Sequence, residues 1–133
     1  MAQWKVLLVD DEVEFATTLS ERLTLRGIEA VTVHDGEAAL QRIAADPPQI
    51  VVLDMMMPGL GGLEVLRLIK KNHPGIPVIL LTGRGSTKEG IDGMDLGAYD
   101  FLMKPIKIEA LVEKMKEAVE QSMSAGSRHT SAQ

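Results

Sequence analysis

Short apolar runs alternate along this chain with segments whose apolar residues recur at helical spacing. That alternation constrains the fold more than any other feature. Val6-Leu7-Leu8-Val9, Ala30-Val31-Thr32-Val33, Ile50-Val51-Val52-Leu53, Val78-Ile79-Leu80-Leu81 and Tyr99-Asp100-Phe101-Leu102-Met103 read as strands. The first and third are apolar throughout, as expected of strands covered on both faces. Phe15, Ala16, Leu19 and Leu23 mark a first helix that Gly27 stops, and Ala39, Leu40 and Ile43 a second closed by Asp46-Pro47-Pro48. Leu63, Val65, Leu66 and Ile69 mark a third, ended near Asn72-His73-Pro74-Gly75. Ser86 with Glu89 fits a capping box for a fourth, and Ile108, Leu111, Val112, Met115 and Val119 form the stripe of a fifth. Gly90 and Gly93 interrupt the fourth helix, which is therefore expected to be the least stable. Strand–helix alternation through short loops predicts an α/β fold, a doubly wound five-stranded parallel sheet with five helices on its two faces.

No internal repeat or second domain is visible, so residues 1–121 read as one domain. From Ser122 onward the chain is small and polar, and 122–133 read as a flexible tail or linker stub. The 133 residues bury a core without a disulfide or metal staple. The absence of cysteine removes thiol chemistry and Cys-zinc sites. A net charge of −5 and an aromatic content of 3% argue against direct nucleic-acid binding by this domain. No apolar run reaches the length of a membrane span, and the four-residue run after Lys5 is too short for a signal peptide, so the expected location is cytoplasmic.

In an open parallel sheet, ligands bind beyond the carboxyl ends of the strands. The first run ends in Asp10-Asp11-Glu12, the third in Asp54 and the fourth in Thr82-Gly83; Lys104-Pro105 follows the fifth. Asp10, Asp11 and Asp54 together are too negative to stand unpaired at the end of a dry sheet. Mg²⁺ suits two or three carboxylate oxygens with waters and a phosphate. Lys104 supplies a point charge and Thr82 a hydroxyl donor. Metal, cation and donor around an aspartate are the parts needed to transfer a phosphoryl group onto a carboxylate.

Four stretches, Leu7-Leu8-Val9-Asp10-Asp11-Glu12, Val52-Leu53-Asp54-Met55-Met56-Met57-Pro58-Gly59, Leu80-Leu81-Thr82-Gly83 and Gly97-Ala98-Tyr99-Asp100-Phe101-Leu102-Met103-Lys104-Pro105, resemble the receiver domain of two-component response regulators over about residues 4–121. The resemblance implies the flavodoxin-like strand order 2-1-3-4-5. It makes Asp54 the acceptor of a phosphoryl group from a phosphohistidine, and Asp10 and Asp11 the acidic pair that holds Mg²⁺, with Asp54 and the Met56 backbone carbonyl as further ligands. Lys104 would contact the phosphoryl group and join Pro105 through a cis peptide. Thr82 would follow the phosphate, and Phe101 would turn inward as Thr82 moves; a plain core aromatic fits that position as well. Met56 and Arg84 stand where the lifetime of the phosphorylated state is set. The resemblance further implies a histidine kinase or phosphotransfer protein upstream, a downstream target or a missing output domain, a switched face built from the fourth helix, fifth strand and fifth helix, and the option of a homodimer formed on phosphorylation. The domain would catalyse only its own phosphorylation and dephosphorylation, and so is not read as an enzyme.

Gly61 stands where the family usually has Asp, and Ile106-Lys107 offer no good cap to the last helix. The run Met55-Met56-Met57 reads as packing, and His34, His73 and His129 as surface residues. Three rivals carry less. A dehalogenase-type phosphatase needs Asp-x-Asp where this chain has Asp10-Asp11-Glu12. A flavodoxin-type carrier needs a hydroxyl- and Gly-rich phosphate loop where three acids stand. A phosphorylation-independent module usually lacks the acceptor or acidic pair that this chain keeps.

Overall fold

A computed structural model describes residues 4–57, 61–83 and 87–132. The elements run β1 (Lys5–Val9), α1 (Val13–Leu25), β2 (Glu29–Val33), α2 (Gly36–Ala45), β3 (Ile50–Asp54), α3 (Gly62–Asn72), β4 (Val78–Thr82), α4 (Thr87–Asp95), β5 (Asp100–Met103) and α5 (Ile108–Ala132). The five strands form one parallel sheet in the order β2-β1-β3-β4-β5, as the sequence led us to expect.

Burial explains the strand compositions. Every residue of β3 and β4 is buried, whereas the edge strands β2 and β5 are half-buried and admit Glu29, Thr32 and Asp100. The pleat sends alternate residues to opposite faces. Leu8, Val52 and Leu81 meet Leu19 and Leu23 of α1 and Leu111 and Met115 of α5 on one face. Leu7, Leu53 and Leu80 meet Ile43 of α2 and Leu66 and Ile69 of α3 on the other. Each fully buried leucine or isoleucine contributes roughly 2 kcal/mol.

Local chemistry sets the ends. Asp35 caps α2, its carboxylate accepting the Ala38 N–H at 2.7 Å. Gly27, at φ +80°, turns the chain out of α1 while its N–H donates to the Thr24 carbonyl. The glycines of α4 have a packing reason: a Cβ at Gly90 would come within 2.6 Å of the Phe101 ring, and one at Gly93 within 2.1 Å of the Leu80 side chain. The helix therefore lies closer to the sheet than an alanine would allow. Ser86, the expected capping partner of Glu89, lies outside the described residues.

Helix α5 continues past Ser122 to Ala132. A helix nucleated by the packed stripe from Ile108 to Val119 gains one hydrogen bond for each further residue, and no proline stands in 122–132 to stop it. Among the described residues no helix is long and apolar enough to cross a membrane.

Candidate functional site

Strand register gathers the site. Val9 pairs with Leu53, so Asp10 and Asp54 each follow a paired position at the ends of adjacent strands. Asp54 pairs with Leu81, which puts Thr82 one step beyond it, and Thr82 pairs with Met103, after which comes Lys104. The Lys104 N–H donates to the Thr82 carbonyl at 2.8 Å. The Lys104–Pro105 peptide is cis.

Burial singles out the same residues. Among the described residues the buried polar or charged ones are Asp10, Asp54 and Thr82, at 3%, 1% and 0% exposure. Buried polar groups are ordinarily hydrogen-bonded, yet among the described residues the Thr82 hydroxyl has no partner. The Lys104 ammonium lies 2.8 Å from Glu12 Oε1, 3.0 Å from Asp10 Oδ2 and 3.7 Å from Asp54 Oδ1. The Met56 N–H donates to Asp54 Oδ1 at 3.1 Å, and the Glu12 N–H to Asp10 Oδ1 at 2.9 Å.

One ammonium faces three carboxylates, and the imbalance shows in the titration of Asp54. Burial drives its carboxyl up to about 6; the Met56 N–H and the Lys104 ammonium hold it back, and the Asp10 charge pushes it further up. Burial pulls the Lys104 ammonium down, but hydrogen bonds to Glu12 and Asp10 and the charges of Asp54 and Asp10 outweigh it and leave its pKa above the ordinary value.

Oxygens of Asp10, Glu12 and Asp54 lie within 4.8 Å of one another, a grouping able to hold a metal ion. Glu12 belongs to this group and the exposed Asp11 does not. Glu12, the extended residue before α1 (φ −82°, ψ 95°), was not among the expected ligands. His34, read as a surface residue, is half-buried, and its Nδ1 lies 3.0 Å from the Asp10 carbonyl oxygen. His73 is half-buried too, at the end of α3.

Met55 and Met57 are buried packing, while Met56 is 57% exposed beside the acceptor. Phe101 is half-buried, with its ring against Gly90. Arg84, named with Met56 as a lifetime position, lies outside the described residues, as do Pro58 and Gly59 of the loop after β3.

The chain is similar to known proteins along most of its length. Residues 6–116 match the family described as the response regulator receiver domain. The chain is 40% identical to the response regulator MprA of Mycobacterium tuberculosis over 112 residues, 84% of this chain and 49% of that protein. It is 38% identical over 122 residues to YkoG, an uncharacterized transcriptional regulatory protein of Bacillus subtilis, covering 92% of this chain and 54% of that one. The chain thus spans about half the length of the curated relatives it matches. The receiver domain of NtrX from Brucella abortus superposes with a TM-score of 0.83 at 37% identity, covering 86% of this chain and 98% of that one. The longer NtrX chain in complex with ADP gives 0.90 at 35% identity, covering 98% of this chain and 30% of that one. The match over residues 6–116 and the identity to these regulators show that the chain belongs to the response regulator receiver domain family of two-component signalling.

Proposed function

We propose that Asp54 accepts a phosphoryl group from a phosphohistidine of a histidine kinase or phosphotransfer protein, and that the aspartyl phosphate switches the domain between two conformations. The observation that carries this is the convergence of the buried polar residues, Asp10, Asp54 and Thr82, at one sheet edge beside Lys104. In the step, an Asp54 oxygen bonds to phosphorus, the phosphorus–nitrogen bond breaks, and its electron pair returns to the imidazole. The Met56 N–H and the Lys104 ammonium both address Oδ1, which leaves Oδ2 as the attacking oxygen. Lys104 offsets charge on the transferred group, and the unpartnered Thr82 hydroxyl donates to one of its oxygens.

The donor set fits a hard divalent cation: carboxylate oxygens only, close together, with one ammonium to offset them. Asp10, Asp54 and Glu12 would hold Mg²⁺, with Asp11 and the Met56 carbonyl beside them, and the ion would neutralise the cluster and draw a phosphoryl oxygen towards Asp54. Thr82 then moves towards the phosphate and Phe101 with it, which alters the face formed by α4, β5 and α5. Exposed Ile91 and Met103 on α4 and β5 give that face apolar contact area for a target protein, an output domain or a second copy. The domain catalyses only its own phosphorylation and dephosphorylation, in the cytoplasm.

The test is incubation with a small acyl phosphate and Mg²⁺, read by intact mass. One added phosphoryl group, labile to alkali, is expected. No adduct, or an adduct that survives Asp54→Asn, overturns the proposal.

A further inference from the structure

We infer that Phe15 is a positioning residue for Lys104, its ring forming a cation–π seat that keeps the ammonium at the carboxylate cluster. The Lys104 Nζ lies 4.4 Å from the centroid of the Phe15 ring, inside the range of such interactions. Phe15 stands in the first turn of α1, half-buried against the core, and lines a shallow groove of about 220 Å³ with Leu19, Ile106 and Ile108.

Lysine needs such a seat here. The Lys104 backbone is pinned by its hydrogen bond to the Thr82 carbonyl, but a flexible four-carbon stem separates that anchor from the charge. The shortest ammonium contact, 2.8 Å, is to Glu12, whose side chain is 64% exposed. That contact draws the ammonium outward, whereas Asp54 at 3.7 Å lies beyond hydrogen-bond reach. The ring gives the ammonium an attractive surface on a further side, and the 19% exposure of the lysine side chain leaves little water to weaken it. Phe15 thus acts through Lys104, and its kinetic consequence rests on the acceptor reading of Asp54.

Two measurements on the intact chain test this. In the unphosphorylated protein, NMR should show the Lys104 Cε protons shifted upfield by the ring current, with the shift lost in Phe15→Leu and kept in Phe15→Tyr. With an acyl phosphate donor, Phe15→Leu should slow phosphorylation by roughly three- to tenfold, and Phe15→Tyr should restore the rate. In a Lys104→Ala background Phe15→Leu should have no further effect, because the two residues act as one unit. Unshifted Lys104 protons in the parent protein, or a Phe15→Leu effect that persists in the Lys104→Ala background, overturns the inference. A parent protein that takes no phosphoryl group refutes the acceptor reading instead, and the proton shifts still decide the seat.

Discussion

Asp54 carries its charge at a cost to the folded state. Its carboxyl titrates near 6 when folded, against an ordinary value of 3.8, so the folded protein holds a proton that the unfolded chain releases. The stability this proton confers is fully present below about pH 4 and is lost as pH rises through about 6. Asp54→Asn, neutral at every pH, should therefore be more stable than the parent at about pH 8 without divalent cation, by about 3 kcal/mol. The gap should close towards about pH 4. Urea unfolding at both pH values checks this, and a variant no more stable than the parent at the higher pH contradicts it. Met56 is exposed beside the acceptor and has no group to orient water, so Met56→Asn should speed loss of the phosphoryl group; an unchanged or slower rate counts against it. The residue types at this site were legible from the strand ends alone. The nearness of Glu12 to Asp10 and Asp54 was not, because it depends on how the chain leaves β1. Phe15 was legible only as one residue of a helical stripe, since its closeness to Lys104 depends on how α1 meets the end of β5.

Helix α4 shows a propensity argument and a packing argument that pull in opposite directions. Gly90 and Gly93 lower its intrinsic stability, and the same glycines let it settle onto Phe101 and Leu80. Adding side-chain volume at Gly90 should displace the helix or the ring rather than strengthen α4. Gly90→Val should cost about 1–3 kcal/mol in urea unfolding, and Phe101→Leu in that background should recover part of the loss. A more stable Gly90→Val protein would show that propensity outweighs packing here. Periodicity gave the existence of four helices and the Ser86/Glu89 capping box that of α4. The helical path of α5 beyond Ser122 carries no periodic apolar signal, and it continues a helix whose nucleus is already packed.

The fold as a whole was legible because one rule acts at every strand: apolar runs too short for helices must be covered on both sides, and amphipathic helices supply the cover. The same rule leaves the carboxyl edge of the sheet as the place where charge collects. A cation bound there should stabilise the whole domain by mass action, by about 2.7 kcal/mol at a hundredfold excess over its dissociation constant. Mg²⁺ should accordingly raise the melting temperature of the parent protein at neutral pH, and raise that of Asp54→Asn much less; an equal rise in both would place the ion elsewhere. The most direct test of Asp54 as acceptor is chemical trapping. The protein is treated with a small acyl phosphate and Mg²⁺, reduced with borohydride, which converts an aspartyl phosphate to homoserine, and mapped by peptide mass spectrometry. Homoserine at position 54 alone is the predicted result; homoserine at position 10 or 11, or at none, would contradict it.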